Sequence, residues 1–131
     1  MKMKVRVITS SSTFVLEEVT SLHLSLIDGD ITILPNHYPL LGAIEISKVV
    51  FKKNKEEICA FASKGLLNVK EDDVLLVLDA FEFKKDIDYE RALRSKNRAL
   101  ERINSNDSKI DIVRAEASLK RALMRISIYE I

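Results

Sequence analysis

The sequence has few of the residues that cross-link, break or anchor a chain: its 131 residues include one cysteine, two prolines, three glycines and no tryptophan. Because Cys59 is alone, it cannot form an intramolecular disulfide, and its apolar neighbours indicate a small buried side chain, not a reactive thiol. The N-terminal residues alternate charged and apolar side chains, so they lack the continuous apolar stretch of a signal peptide. No segment is long and apolar enough to cross a membrane. We therefore expect any membrane association to come only through another protein.

Two function classes are disfavoured by what else is missing. Aromatic residues make up 6% of the chain, the net charge is +1, and no glycine-rich or basic-aromatic stretch occurs, so no nucleic-acid partner is indicated. The two histidines, His23 and His37, do not have metal-site spacing to acidic or cysteine ligands, and no nucleophile–histidine pair or phosphate-binding loop is recognisable. The sequence thus predicts no metal site and no catalytic centre.

Residues 1–83 have the hydrophobic period of two that is typical of strands. Met3, Val5 and Val7 alternate with Lys and Arg, which gives one apolar and one polar face. Further short apolar runs follow, with turn-forming residues between them. These runs are residues 14–16, 22–26, 31–34, 43–46, 49–51, 58–62, 66–69 and 74–78. Many short strands at close spacing predict an all-β sandwich or flattened barrel.

Residues 84–131 change to a helical period, and their net charge is +4 against −3 for residues 1–83. Apolar residues recur every three or four positions over residues 86–103, with Asp86 as the expected cap. After a polar break, a second such pattern runs over residues 112–126, preceded by Ser108 and Asp111, which resemble a capping box. We predict an α+β protein whose β-sandwich is followed by an antiparallel two-helix hairpin. Alanines are expected to let the helix axes approach closely: Ala92, Ala99, Ala115 and Ala122.

A signature in residues 29–41 connects the chain to a known family. These residues read GDITILPNHYPLL, and they resemble the G-E-L-G-I-L-P-G-H-A-P-L-L signature of the epsilon subunit of rotary F-type ATP synthases, called delta in mitochondria. Both prolines, the histidine and the final Leu-Leu match. The differences are Thr32 and Asn36, which replace glycines, and Tyr38, which replaces a small residue.

Other motifs extend the resemblance along the whole chain. Residues 62–69 are similar to the family's S-G-G-F-L-E-V, with Lys64 in place of the first glycine. Residues 86–92 and 114–126 resemble the start and the core of its two helices. The resemblance implies a β-sandwich domain over residues 1–83 and a regulatory helical hairpin over residues 84–131.

The same resemblance implies a non-catalytic rotor subunit in the central stalk, which couples ion translocation to ATP synthesis. The sandwich would bind the gamma subunit and the loops of the c-ring, with Asp28, Asp30 and His37 as an exposed polar tip. The basic helices would face the alpha and beta subunits and inhibit ATP hydrolysis. The protein would be peripheral, on the cytoplasmic side of a bacterial cell membrane. The alternative is a free-standing ATP-binding sensor.

The hairpin also carries a candidate ATP site, although no cofactor is required by the resemblance. Some bacterial epsilon subunits bind ATP as a regulatory ligand through an I/L-D-x-x-R-A motif, which residues 87–92 fit, together with arginines from both helices. The candidate residues are Glu82, Ile87, Asp88, Arg91, Ala92, Arg98, Arg121 and Arg125. Guanidinium groups bind phosphate oxygens in a bidentate manner. The residues alone favour a solvated face in which these arginines pair with glutamates, and the family resemblance brings the two interpretations close to even. The glutamates are Glu90, Glu101 and Glu116.

Overall fold

The computed structural model describes residues 1–105, 107 and 111–131, and it contains two compact units, Met1–Lys84 and Lys85–Ile131. Within the described residues, nine strands form the first unit and two helices the second, which confirms the predicted α+β order. The strands are β1 (Met3–Ile8), β2 (Thr13–Leu26), β3 (Gly29–Ile33), β4 (Leu40–Ile44), β5 (Ser47–Lys53), β6 (Glu56–Ala62), β7 (Gly65–Lys70), β8 (Asp73–Leu78) and β9 (Phe81–Phe83). The helices are α1 (Tyr89–Asn104) and α2 (Ile112–Tyr129), and a 3-10 turn, Lys84–Asp86, precedes α1.

The sheet closes on itself through β2. Its strand order is β1-β8-β7-β4-β2-β5-β6-β9, β3 pairs with β2, and β1 also pairs with β2. Pairing of β1 with β8 is parallel, and the other pairs are antiparallel. Closure removes free strand edges from this part of the sheet. The result is the flattened barrel or sandwich that the short strands predict.

Alternation of side chains fills the interior of the first unit. Met3, Val5 and Val7 are buried, as their period of two predicts. Leu22 and Leu24 of β2 are completely buried as well. Four phenylalanines add a ring cluster with centroid separations of 5.0 to 6.2 Å: Phe14, Phe51, Phe81 and Phe83. The prediction for Cys59 is only partly correct, because this residue is half-buried in β6.

One long strand, β2, replaces two runs that the sequence pattern separates. Residues 14–16 and 22–26 both belong to its 14 residues. Glu18 lies between them with φ of 60°, and the β1–β2 register shifts next to it, from Met3↔Val19 to Val5↔Leu16. A bulge with one left-handed residue bends a strand and changes its alternation. Leu16 and Val19, three residues apart, can therefore both be buried.

Two glycine-related positions of the family motifs have clear steric explanations. A Cβ on Gly65 would lie 2.0 Å from the carbonyl oxygen of Val77, so no other residue fits there without a backbone shift. Asn36 has φ of 64°, a left-handed conformation that glycine adopts freely and asparagine adopts better than most residues. The replacement of the signature glycine by Asn36 therefore keeps the turn.

The helix caps differ from the prediction by a few residues. Asp86 does not cap α1, because it lies in the 3-10 turn; Asp88 is the cap, and its carboxylate accepts a hydrogen bond from the Arg91 backbone N–H at 3.1 Å. Asp111 caps α2 through the Arg114 N–H at 3.1 Å. Asp111 is thus the capping residue itself and not the third helical residue of a capping box, and Ser108 lies outside the described residues.

The two helices meet at small side chains. Ala92, Ala99, Ala115 and Ala122 are between 1% and 3% exposed, and we call these four residues the alanine seam. Large aliphatic residues beside the seam remain open to solvent, with Ile112 40% and Leu123 45% exposed. The helices therefore approach closely at the seam, and the large aliphatic residues of the hairpin that are buried are Ile87 and Ile128 among those that the structure describes.

Candidate functional site

The structure separates the three residues of the predicted polar tip. Asp28 and Asp30 are exposed at the β2–β3 turn, where Gly29 pairs with Leu26. His37 lies in the β3–β4 loop, beyond the opposite end of β3, so the length of that strand, about 13 Å at 3.3 Å per residue, intervenes. Asn36, next to His37, donates its N–H to the Asp72 carboxylate at 2.8 Å, which places the loop beside the β7–β8 turn. The three residues thus belong to two ends of the sandwich.

Asp30 is part of a polar group across the β2–β3 hairpin. Its carboxylate accepts a hydrogen bond from the Ser25 hydroxyl at 2.6 Å and lies 3.8 Å from Nε2 of His23. Nδ1 of His23 is in turn 2.8 Å from Oγ1 of Thr32. The sequence analysis did not identify His23 and Ser25 as part of this group. Its signal is the alternation along the hairpin, in which His23 pairs with Thr32 and Ser25 pairs with Asp30 on the same face.

His37 is held by its own loop. Its backbone N–H donates to the Leu34 carbonyl at 3.2 Å, and its Nδ1 lies 2.8 Å from the Tyr38 carbonyl oxygen. Because a carbonyl can only accept, Nδ1 carries the proton in this contact, and in a neutral ring Nε2 is an acceptor. The neighbouring Tyr38 side chain is 87% exposed. His37 is thus a corner residue whose second nitrogen can receive a hydrogen bond from a partner.

Three of the four defined positions of the candidate ATP motif have structural roles in the hairpin. Asp88 caps α1, Ile87 is 5% exposed, and Ala92 belongs to the alanine seam. Arg91 is exposed and has no such duty. The motif therefore fixes the start of the helix that presents the arginine.

The helical period brings the four candidate arginines to one side of the hairpin. Arg91 and Arg98 each precede a seam alanine of α1 by one residue, which is a rotation of about 100° about the helix axis. Arg121 precedes the seam alanine Ala122 by one residue, which is the same rotation of about 100°. Arg125 follows Ala122 by three residues, about 300°, which equals about 60° toward the side of Arg121. In an antiparallel pair, the same rotational side of each helix faces the same way.

Environment distinguishes these arginines. Arg91 and Arg98 are exposed, and neither forms an ion pair with a residue that the structure describes. Arg121 and Arg125 are half-buried, and Nη2 of Arg121 donates to the Ser118 hydroxyl at 3.1 Å. Pairing of Arg91 and Arg98 with glutamates is thus absent from the described part of the chain. Glu82, the remaining candidate, is half-buried in β9 of the first unit.

An exposed apolar surface, which sequence reasoning missed, covers the outside of β4, β7 and β8. Leu41 is 78%, Leu66 64% and Val77 43% exposed. Register pairs Leu66 with Val77, and Leu41 with Asn68, which pairs with Leu75, so all share one face. They line a shallow groove of about 460 Å³. We call Leu41, Leu66, Leu75 and Val77 the outer apolar face. The sequence signal for this face is the unbroken apolar run of residues 74–78. A strand that is apolar on both faces normally packs both of them against other parts of a protein or assembly.

The described residues contain neither a membrane-spanning helix nor a metal-binding cluster. No described helix is both long and apolar enough to span a membrane. Likewise, in residues 1–105, 107 and 111–131, no group of three or more His, Cys, Asp or Glu side chains is arranged to hold a metal ion. The candidate surfaces are therefore the outer apolar face, the two loop ends and the arginine side of the hairpin.

Known structures share this fold. A chain of the Euglena gracilis mitochondrial ATP synthase, solved as OSCP/F1/c-ring, superposes with a TM-score of 0.79 at 14% identity, covering 91% of this chain and 76% of that chain. A chain of the Tetrahymena thermophila mitochondrial ATP synthase central stalk/c-ring gives a TM-score of 0.62 at 11% identity, covering 99% and 95%. At such low identity, these matches establish the architecture alone.

Sequence comparisons identify the family. Residues 2–84 match the beta-sandwich domain of the ATP synthase delta/epsilon chain, and residues 85–130 match its long alpha-helix domain. The ATP synthase epsilon chain of Clostridium kluyveri is 35% identical over 127 residues, which are 96% of each chain. That of Bacillus velezensis is 34% identical over 125 residues, 95% of each. Both domains are present in the expected order, and the chain therefore belongs to the ATP synthase delta/epsilon family.

Proposed function

We propose that this chain is a rotor subunit in the central stalk of a bacterial F-type ATP synthase. It has no catalytic centre of its own, and it couples ion translocation to ATP synthesis by connecting gamma to the c-ring. It lies on the cytoplasmic side of the membrane, held there by the complex. The outer apolar face of the sandwich is the observation that carries this proposal.

The outer apolar face is assigned to the gamma subunit. Leu41, Leu66 and Val77 adjoin one another across paired strands, so their exposed surface forms one patch and is not scattered. Apolar surface of this kind costs about 25 cal/mol for each Å² left in water, and contiguous patches mark protein contacts. A free-standing sensor, the alternative function, has no use for such a patch. The patch therefore favours a subunit of an assembly.

Two aspartate variants test the gamma contact. Leu41→Asp and Leu66→Asp should each weaken co-purification with gamma at least tenfold, because a carboxylate would be desolvated in the contact. Val113→Asp is the matched control, since Val113 is 77% exposed in the first turn of α2, where a carboxylate suits the helix dipole. Circular dichroism verifies that all three variants fold. Retention of gamma by both sandwich variants would refute the assignment.

The c-ring contact is assigned to the loop ends of the sandwich, where Asp28, Asp30 and His37 lie. Since the structure places them at two ends, single variants must test them separately. We expect Asp30→Lys to reduce ATP-driven ion pumping relative to ATP hydrolysis in membrane vesicles, and we test His37→Ala in the same assay. An unchanged ratio of pumping to hydrolysis in one variant removes that end from the coupling contact.

The hairpin is assigned an inhibitory role. Its basic helices extend along gamma and meet the alpha and beta subunits, and this state suppresses ATP hydrolysis. Removal of residues 86–131 leaves the strands of the first unit intact. The truncated protein should still bind gamma, and hydrolysis by the complex should rise. If truncation abolished assembly, the separation of the two roles would be wrong.

ATP is assigned as a regulatory ligand of the closed hairpin. The arginines on one side of the hairpin support this assignment, since several guanidinium groups facing one way suit a polyphosphate. A ligand that binds only this state adds about 2.7 kcal/mol of stability at one hundred times its Kd. Calorimetry should show ATP binding that Arg91→Ala and Arg125→Ala largely abolish. Lys96→Ala is the matched control, because Lys96 lies about 140° around α1 from Arg91 and therefore on the other side of the hairpin. Equal affinity in all three variants would exclude the site.

A further inference from the structure

Two stacked tyrosines join the helices at the open end of the hairpin, which is the end opposite the connection between α1 and α2. Tyr89 is the first residue of α1 and Tyr129 the last of α2. Their ring centroids are 4.6 Å apart and the ring planes differ by 19°. The Tyr89 hydroxyl donates to a carboxylate oxygen of Glu130 at 3.3 Å. Ring stacking and a hydrogen bond thus join the two chain ends of the hairpin.

The position of the tyrosine contact makes it important for separation of the two helices. The other end of the hairpin is joined covalently, so separation of the helices must begin where Tyr89 and Tyr129 meet. Between the two ends, the helices touch through the alanine seam, whose methyl groups bury little area each. Leu123, which could add burial near the open end, is 45% exposed. Ile128, next to Tyr129, is completely buried, so this side chain and the tyrosine pair are the apolar contacts at the end where opening begins.

We propose that Tyr89, Tyr129 and Glu130 form a latch that holds the hairpin closed, and that its release is the first step by which the helices separate. The regulatory meaning of this step rests on the proposed function, in which the extended hairpin inhibits hydrolysis. The backbone of Glu130 is held at the end of α2, because its N–H donates to the carbonyls of Ile126 and Ile128. The latch thus couples the last turn of α2 to the first turn of α1.

Hydrogen exchange on the free, full-length protein tests the latch directly. Tyr89→Ala and Tyr129→Ala should speed amide exchange at the start of α1 and the end of α2 about three- to tenfold, the range expected for loss of one aromatic pair. Tyr129→Phe keeps the ring and should exchange like the parent protein. Tyr38→Ala is the matched control, because that ring is 87% exposed in the first unit. Should Tyr129→Ala fail to fold, Tyr129→Leu keeps apolar volume without the stack. Exchange in the hairpin variants equal to that of Tyr38→Ala overturns the latch.

Hydrolysis by the assembled complex separates the latch from the proposed function. With Tyr129→Ala, a hairpin that opens more easily should inhibit hydrolysis more strongly. Faster exchange with unchanged inhibition supports the latch and overturns the inhibitory role of the hairpin. Altered inhibition without faster exchange overturns the latch, because the variant then acts at another contact.

Discussion

The sandwich and the hairpin bury their residues in different ways. In the sandwich, large side chains such as Leu22, Phe51 and Leu76 are completely buried. In the hairpin, the buried residues that the structure describes are the four seam alanines, Ile87 and Ile128, and two of its larger aliphatic residues are 40% and 45% exposed. Apolar burial is the dominant favourable term in folding. The sandwich is thus stabilised by its core, and the hairpin by caps, the seam, two buried isoleucines and one aromatic pair.

The largest expected difference between the two units comes from the same truncation in each. Leu22→Ala, in the sandwich core, should lower the free energy of unfolding by about 2 to 5 kcal/mol. Leu123→Ala should cost under about 1 kcal/mol, because nearly half of that side chain already meets solvent. Urea unfolding monitored by circular dichroism measures both. Similar losses would show that the hairpin has a core comparable to that of the sandwich.

Two buried serines sharpen the description of the sandwich. Ser63 is 3% exposed, and its hydroxyl accepts the Ala80 N–H at 2.7 Å, so Ser63→Ala should cost about 1 to 3 kcal/mol. Ser47 is 2% exposed, and its hydroxyl has no hydrogen-bond partner among the described residues. Ser47→Ala should therefore leave the urea midpoint unchanged or raise it. A larger loss at Ser47 than at Ser63 would contradict this assignment of partners.

A cap variant separates stability from ligand binding in the hairpin. Asp88→Ala should reduce stability by about 1 kcal/mol, because the Arg91 N–H loses its acceptor. Asp88→Asn keeps a capping side chain and should restore most of this loss. Thermal unfolding measures the stability of each variant. Calorimetry with ATP on Asp88→Asn measures how the charge of Asp88 affects ATP binding, because the cap is retained. If Asp88→Asn binds ATP like the parent protein, the role of Asp88 in the motif is the cap.

The smallest expected effect is an alkaline one. Burial, followed by the nearby Glu130 carboxylate, raises the pKa of Tyr89 above its ordinary value. The pKa of Tyr89 is therefore higher in the folded than in the unfolded protein. The protonated hydroxyl contributes fully to the free energy of unfolding below about pH 10, and this contribution is lost as pH rises through the raised pKa. Helical circular dichroism above about pH 10 should fall earlier in the parent protein than in Tyr89→Phe. Identical alkaline curves would remove Glu130 from the latch.

Local patterns in the sequence determined the kinds of elements and the family. The alternation at Met3, Val5 and Val7 and the alanine spacing in the hairpin each reflect the geometry of a single strand or helix, and short-range periodicity encodes that geometry. The signature in residues 29–41 and the helix motifs predicted the family that the comparisons confirm. Capping was correct in residue type but displaced from Asp86 to Asp88, because aspartates occur at both positions and local pattern does not distinguish them.

Tertiary structure alone decided which distant residues share a surface. It placed His37 and Asp30 at opposite ends of β3, joined two runs into β2 through the left-handed Glu18, and brought Leu41, Leu66 and Val77 onto one outer face. Each of these outcomes depends on strand register and sheet closure, in which residues far apart in the chain pair across strands. The stack of Tyr89 on Tyr129 has the same origin, since it requires the register of two antiparallel helices. A linear pattern encodes the faces of each element, and only packing decides which faces meet.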